Sequence, residues 1–235
     1  MKAMTFNNKR NPNFILLEGR TKAPFHPISR NIVSTPKGHR LKDSKKELLY
    51  ISQPIGYLVK DDVDALKIKD ELAEWLVTKE IAPLQLDDEP RRTYWCVVQN
   101  SIDDLSRFAY TRQGTIQFLC FYTTGEQKTI PVTATPTSHT ITGQDETPWT
   151  VEVVFTGATD KFELQTNKGL YLLLGYNFIE GDRLTIKYEN REVWLNGEDL
   201  RHAVRMKSNY EMLSLGSIEV SASHECELIY DERYY

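Results

Sequence analysis

The sequence that decides the fold reads DEPRRTYWCVVQ at residues 88–99 and, after a short gap, GTIQFLCF at residues 114–121. Ahead of these two strings, apolar residues recur every three or four positions between Ala65 and Leu76. That spacing puts them on one face of a helix over about residues 62–79. The two strings are rich in aromatic and β-branched residues, which favour β-strands. We therefore predict a β-barrel with one helix beside it.

The rest of the first half predicts short strands and no second helix of that length. Four runs rich in strand-forming residues lie at residues 14–17, 28–34, 48–51 and 55–59. The pair Gln53-Pro54, between the last two runs, predicts a turn. The first half is therefore expected to be mainly β, with one helix at its side.

A change of composition separates the two halves of the chain. Residues 123–148 contain many Thr, Ser and Gly residues, three prolines and few apolar positions, which is typical of a linker. We predict a first domain at residues 1–128, a linker over residues 129–147 and a second domain at residues 148–235.

The second domain is predicted to consist of strands alone. Turn residues such as Gly, Asn and Asp separate its apolar runs at a spacing of roughly ten residues. Seven short strands without helices are typical of a β-sandwich. The strands are placed at residues 149–155, 161–166, 170–174, 184–188, 192–195, 217–221 and 226–230.

The composition is that of an ordinary globular protein, with 40% apolar and 26% charged residues in 235 positions. No stretch approaches the roughly 20 apolar residues of a membrane-spanning helix, so we expect no membrane partner. No apolar run follows Lys2, as a secretory signal would require. Cys96, Cys120 and Cys226 are odd in number and irregular in spacing, which predicts buried reduced thiols rather than a disulfide framework.

The net charge of −4 hides a strong asymmetry along the chain. Residues 1–46 carry eleven Lys and Arg against two acidic residues, a net charge of +9, and the remaining residues therefore carry −13. A basic segment of this kind binds either nucleic acid or an acidic protein surface. Few aromatic residues interrupt it and the acidic remainder would repel DNA, so we favour a protein surface and expect no sequence-specific nucleic acid partner. Its densest part, residues 35–46, is predicted to be an exposed loop.

No combination of residues predicts a catalytic or metal site. The five histidines are scattered, and the sequence motifs of zinc proteases, serine hydrolases, P-loops and dinucleotide-binding folds do not occur. His224-Glu225-Cys226 lacks further ligands at metal-binding spacing. The acidic groups at residues 87–89, 103–104 and 198–199 lie in polar, turn-like runs, and we predict solvated rather than catalytic carboxylates. We therefore predict no enzyme, no metal and no cofactor.

Trp149 and Trp194 are the candidate platforms for a carbohydrate. Sugar rings stack on exposed indoles in many β-sandwich proteins. Trp194 lies between Val193 and Leu195, so strand alternation puts the indole on one face and its two neighbours on the other. The sequence leaves open which of the two faces is buried.

The order of several motifs resembles the distal tail proteins of long-tailed phages that infect Gram-positive bacteria. In the first half the resemblance rests on the helix, on D-x-P-x-x-x-Y at residues 88–94 and on G-x-I-x-F-x-C at residues 114–120. In the second half it rests on GDRLTI at residues 181–186 and on VWLNG at residues 193–197. It covers the chain from about Ile28 to the end.

This resemblance implies a mainly β protein with a tail-tube-like β-barrel and its one helix, followed by a galectin-like β-sandwich. It implies a homohexameric ring at the distal tail tip of the virion, with a lumen through which DNA passes and without enzyme activity. The expected partners are further copies of the chain, the tail-tube protein, the tape-measure protein, and the tail-tip or receptor-binding protein.

The resemblance also gives the basic loop a role, because members of the family close their ring with an arm that embraces the neighbouring subunit. The candidate ring-contact residues are Lys37, Arg40, Lys42, Lys45 and Lys46. The alternative function is a lectin-like module that binds host cell-surface polysaccharide. A third and more distant alternative is a wall-degrading enzyme with dispersed catalytic carboxylates.

Overall fold

The computed structural model describes residues 3–12, 14–58, 62–99, 106–108 and 111–235. The predicted strand end at residue 59 and the predicted carboxylate pair Asp103-Asp104 lie outside these residues. The chain divides into two compact units, one formed by Met1–Thr124 with Tyr235 and the other by Gly125–Tyr234. Among the described residues, no helix has the length and apolar character needed to cross a membrane.

The first unit is built on one open sheet. Its elements are β1 (Met4–Phe6), β2 (Phe14–Leu16), β3 (Thr21–Lys22), β4 (Ile28–Thr35), β5 (Gly38–Lys46), β6 (Leu49–Leu58), α1 (Asp62–Leu76), β7 (Ala82–Leu86), β8 (Thr93–Gln99), β9 (Ser106–Phe108) and β10 (Thr111–Val132). The main strand order is β1-β7-β8-β10-β6, and β2 and β3 both pair with β6. Over the described residues this sheet does not close, so the predicted barrel is an open sheet. The last residues of β10 belong to the second unit.

Helix α1 packs on the core of the first unit with the face that the sequence predicted. Its buried residues follow the three-and-four spacing and are Ile68, Leu72, Trp75 and Leu76. The Trp75 ring stacks on Phe14 at 5.6 Å between centroids. Its indole N–H donates to the main-chain oxygens of Phe6 and Lys9 at 3.2 and 3.1 Å. The predicted helix is confirmed, and it ends at Leu76 rather than near residue 79.

Strand β6 is continuous where the sequence predicted a turn. Pro54 lies opposite Thr115 of β10, and its carbonyl accepts the Leu17 N–H at 3.0 Å. Gln53 is buried, and its amide nitrogen donates to the carbonyls of Leu17 and Pro54 at 3.1 and 2.7 Å. These bonds satisfy the carbonyls of Leu17 and Pro54. The strand therefore passes through Pro54 without turning.

Three ion pairs tie the acidic turn after β7 to Arg20 and Lys22, around β3. The Arg20 Nη1 donates to both carboxylate oxygens of Asp88 at 2.9 Å. Lys22 Nζ donates to the Glu89 carboxylate at 2.6 and 2.8 Å and to Tyr94 Oη at 2.6 Å. The Tyr94 hydroxyl in turn donates to Glu89. We call these five residues the charge clamp. Because the paired side chains are only 17–27% exposed, the prediction of solvated carboxylates does not hold for Asp88 and Glu89.

The charge clamp fixes the protonation states of its members. Burial raises the pKa of the Glu89 carboxyl, but the hydrogen bonds from Lys22 and Tyr94 and the charges of Lys22 and Arg20 outweigh it, and the pKa lies below its ordinary value. Burial, followed by the hydrogen bond to Glu89, raises the pKa of Tyr94 above its ordinary value. At neutral pH Glu89 is therefore ionised and Tyr94 protonated, which is the state in which every bond of the clamp can form.

The second unit has two sheets that share one hydrophobic core. Its elements after β10 are β11 (Thr137–Ile141), β12 (Trp149–Val154), β13 (Thr159–Thr166), β14 (Tyr171–Phe178), β15 (Arg183–Lys187), β16 (Glu192–Leu195), β17 (Glu198–Asp199), β18 (Gly216–Ala222) and β19 (Cys226–Tyr234). One sheet has the order β10-β19-β12-β15-β16-β17, and the other has the order β11-β18-β13-β14. Phe155, Phe162 and Phe178 are buried in the shared core. The seven predicted strands are confirmed.

The boundary between the units differs from the predicted one. The units divide between Thr124 and Gly125. The predicted linker, residues 129–147, instead contains the end of β10 and all of β11, and Ile130 and Val132 lie in the second core. Threonine is β-branched and favours strands, so a Thr-rich composition did not distinguish an exposed strand from a linker.

Replacing Phe162 by Ala is expected to lower the free energy of unfolding of the second unit by about 3–5 kcal/mol, because it opens a cavity at a fully buried ring. Urea unfolding followed by tryptophan fluorescence measures this change. Val154→Ala, at a position 55% exposed, is the control and should alter stability by less than about 0.5 kcal/mol. Equal losses in the two variants would contradict the core described above.

Glu89→Gln is expected to destabilise the first unit by about 1–2 kcal/mol at neutral pH, because it removes the charge from the hydrogen bonds with Lys22 and Tyr94. The folded-state pKa of Glu89 is lower than its ordinary value of 4.5, so its contribution is complete above that value and is lost as the pH falls through the lower folded pKa. The stability difference between the original chain and the variant should therefore shrink below about pH 4. Urea unfolding across this pH range measures it, with the exposed Glu80→Gln as control. A difference that grows toward low pH would contradict the clamp.

Candidate functional site

Strands β4 and β5 form a two-stranded hairpin that stands apart from the main sheets. Pairing runs from Ile28 opposite Lys46 to Thr35 opposite Gly38, with an irregularity after Asn31. The turn is closed by the Thr35 hydroxyl, which donates to the Gly38 carbonyl at 2.8 Å. Gly38 has a φ of +123°, which favours glycine. The basic run that predicted an exposed loop is therefore largely a strand.

The hairpin gathers all the predicted arm residues. Lys37 lies in its turn, and the other four lie along β5: Arg40, Lys42, Lys45 and Lys46. Lys46, at the base, is partly buried, whereas the remaining basic residues are exposed. Over Ile28–Lys46 the sequence has six Lys and Arg against the single acid Asp43. The hairpin therefore presents a dense positive charge to solvent.

Sequence reasoning missed an apolar pair on the hairpin. Ile32 and Leu41 lie directly opposite each other and are 59% and 57% exposed. Val33, the next residue of β4, is 43% exposed on the other face. Isolated two-stranded hairpins are marginally stable in water. Contact of Ile32 and Leu41 with another protein would remove apolar surface from water, which is favourable.

The base of the hairpin is fixed to the core of the first unit by a buried histidine. The His26 ring is 0% exposed, with Nδ1 at 3.0 Å from the Glu47 carbonyl and Nε2 at 3.1 Å from the Thr123 hydroxyl. The Glu47 N–H donates to the Pro27 carbonyl at 2.8 Å. The base of the hairpin is therefore held to β10 by hydrogen bonds through His26. No local pattern in the sequence separates His26 from the other histidines.

The two predicted carbohydrate platforms differ in exposure. Trp149 is 2% exposed and its indole N–H donates to the Glu211 carbonyl at 2.8 Å, so it offers no face to a ligand. Trp194 is partly exposed and lies on the face of its strand opposite to the buried Val193 and Leu195. Of the two residues, only Trp194 has the position that a platform requires.

The segment His224-Glu225-Cys226 does not assemble a metal site in the part of the chain that the structure describes. No group of three or more His, Cys, Asp or Glu side chains there could hold a metal ion. Burial raises the pKa of the Cys226 thiol to about 12, which keeps it protonated and a poor ligand. The three cysteines are free and buried, as predicted.

Two family models match the chain, one in each unit. Residues 19–120 match the phage tail protein RIFT-related domain. Residues 142–234 match the C-terminal domain of the siphovirus-type tail component. The first match contains the hairpin and the charge clamp, and the second contains Trp194.

Similar proteins belong to phage tails. The distal tail protein of Bacillus phage SPP1 is 29% identical over 137 residues, which are 56% of this chain and 54% of that protein. The matched part thus spans about half the length of that relative. The crystal structure of SPP1 Dit, described as a paradigm of the hub adsorption apparatus in phages that infect Gram-positive bacteria, has a TM-score of 0.86 at 17% identity, with 100% of both chains covered. A phage P2 baseplate structure, in its activated conformation with Ca, has a TM-score of 0.61 at 7% identity, covering 97% of this chain and 98% of that one.

At these identities the solved structures show a shared fold, while the family models and the curated relative connect the chain to tail components. The names of the relatives describe a tail, a hub and a baseplate, none of them an enzyme, which agrees with the prediction that this chain is not an enzyme. The resemblance found in the sequence is confirmed: the chain belongs to the family of phage distal tail proteins.

Proposed function

We propose that the protein is a structural hub of a phage tail, in which six copies form a ring at the distal tip. The ring would join the tail-tube protein and the end of the tape-measure protein to the tail-tip or receptor-binding protein. Family membership supports the structural role in a tail. The ring is supported by the hairpin of Ile28–Lys46, which exposes an apolar pair and has a base held by the hydrogen bonds of the buried His26.

A ring requires a surface that fits a different surface on the next copy. Such heterologous contacts close into a ring when the rotation between copies allows it. A projecting hairpin suits this geometry, because it belongs to one copy and can reach a site of another shape on its neighbour. Burying Ile32 and Leu41 there would each contribute up to about 1–2 kcal/mol, since both side chains are more than half exposed in the single chain.

Electrostatic attraction would set the orientation and rate of association, and apolar burial would supply the lasting stability of the contact. The basic hairpin and the acidic remainder of the chain are complementary, and such complementarity speeds association and selects the orientation of partners. Exposed charges are screened by salt over about 8 Å at physiological ionic strength. The assembly should therefore form more slowly at high salt but persist once formed, because the apolar burial does not depend on screening.

The double variant Ile32→Ser/Leu41→Ser is expected to remain folded and to lose the ring, because it removes the apolar pair without changing the charge of the hairpin. Native mass spectrometry and light scattering measure the outcome. The unaltered chain should give the mass of six copies of 27.2 kDa, and the variant should give single chains.

The matched control is Val154→Ser, which removes an apolar side chain of similar exposure, 55%, from the second unit. This control should assemble as the original chain does. Two results would count against the proposal: single chains from the unaltered protein both in solution and in virions, or six-copy rings from the double variant.

A further inference from the structure

One sheet of the second unit carries an aromatic and acidic row on its solvent-facing side. Glu152 of β12 is exposed and lies opposite Glu227 of β19 and Thr185 of β15. Thr185 in turn lies opposite Trp194 of β16. Directly opposite residues place their side chains on the same face of a sheet, so the four form one line across four strands. We call Glu227, Glu152, Thr185 and Trp194 the Trp194 row.

Two residues of the Trp194 row carry like charges on adjacent strands. Glu152 and Glu227 are both exposed and directly opposite each other on adjacent strands. Like charges at such positions destabilise the strand pair. A ligand that donates hydrogen bonds to both carboxylates would reduce this repulsion.

The Trp194 indole is held in place within the row. Its N–H donates to the Glu192 carboxylate at 3.3 Å, and Glu192 also pairs with Lys187 at 3.8 Å. A ring that is oriented before a ligand arrives costs less conformational entropy on binding. Trp194 is therefore a preorganised, partly exposed aromatic surface.

A cleft of about 120 Å³ adjoins the row. Thr150 and Lys187, two of its lining residues, lie opposite each other on β12 and β15, two positions along from the row and on the same face. Glu189, Asp231 and Arg233 add further charged groups to its lining. The cleft is smaller than the pockets of roughly 300 Å³ or more that hold compact ligands. It would accept one end of an elongated polar ligand.

We propose that the Trp194 row and this cleft form a binding site for a neutral oligosaccharide. A sugar ring would stack its C–H face on Trp194, and hydroxyl groups would donate to Glu152 and Glu227. Trp194 lies two strand spacings from Glu152, about 10 Å, so the ligand has more than one sugar ring. A neutral ligand fits because its hydroxyl groups can donate to the two carboxylates, while Lys187 and Arg201 beside the row are already paired with Glu192 and Asp199. This binding activity is separate from the structural role proposed above.

A glycan array that carries lactose, maltotriose, cellotriose and chitotriose tests the site, with the full chain as the probe. At least one of these sugars should bind, and ligand-observed NMR then gives its dissociation constant. Trp194→Ala is expected to weaken that binding by at least about tenfold, because it removes the stacking surface.

Two further variants distinguish a loss of sugar binding from a loss of stability. Glu152→Gln should weaken the sugar by several-fold while leaving the chain no less stable, because it relieves the repulsion from Glu227. If Glu152 only stabilised the fold, Glu152→Gln would lower the stability of the chain and leave sugar binding unchanged. Tyr176→Ala, at a 40% exposed aromatic position on the other sheet, is the control and should bind sugar as the original chain does.

Three outcomes would overturn the site: no array sugar bound at millimolar concentration, equal binding by the original chain and Trp194→Ala, or retention of a synthetic peptide of residues 28–46 by this face in place of sugar. All three substitutions should leave the mass of the assembled protein unchanged. Failure of the sugar site is therefore distinguishable from failure of the proposed ring.

Discussion

The pairing of β10 with β6 on one side and β8 on the other is the constraint on which the first unit depends. Cys120 lies opposite both Leu49 and Cys96, and Phe118 lies opposite Ile51 on β6. These residues alternate inward and are buried, so a register slip of one residue would expose the core of the unit. The same strand supplies Thr123, which holds His26 and thereby the base of the hairpin. The position of the hairpin thus follows from the register of β10.

The charge clamp restrains the chain ahead of the hairpin, and the hairpin presents a surface to solvent. The clamp joins segments that are far apart in sequence, Arg20 and Lys22 on one side and Asp88 and Glu89 on the other, and it restrains the chain just before the hairpin begins. The hairpin itself leaves both faces in solvent except at Lys46. Hydrogen bonds at the base and exposure beyond it are the properties expected of an element that binds another protein with little conformational cost.

Elements with a strong local period could be predicted from the sequence. Helix α1 and the strands of the second unit have buried faces that repeat every 3.6 or 2 residues, and the structure follows those patterns. The failures concern partners that no local pattern reveals. Asp88 and Glu89 were predicted to be solvated because Arg20 and Lys22 lie more than 60 positions away. Strand β5 was predicted to be a loop because its charges dominate and its pairing with β4 leaves no buried face.

Strand alternation predicted that Trp194 and its neighbours point to opposite sides, but it could not say which side is solvent. The answer depends on the second sheet, whose strands bury Val193 and Leu195 in the shared core. Trp149 illustrates the same limit, because its burial depends on the distant segment that contains Glu211.

Hydrogen–deuterium exchange of residues 28–46, measured in the assembled protein and in chains dissociated by dilution, tests the central claim most directly. The account predicts that the amides of this hairpin exchange markedly more slowly in the assembly, because a neighbouring copy covers them, while the amides of β13 and β14 exchange equally in both states. Equal exchange of the hairpin in the two states would contradict the claim that it is the contact between copies.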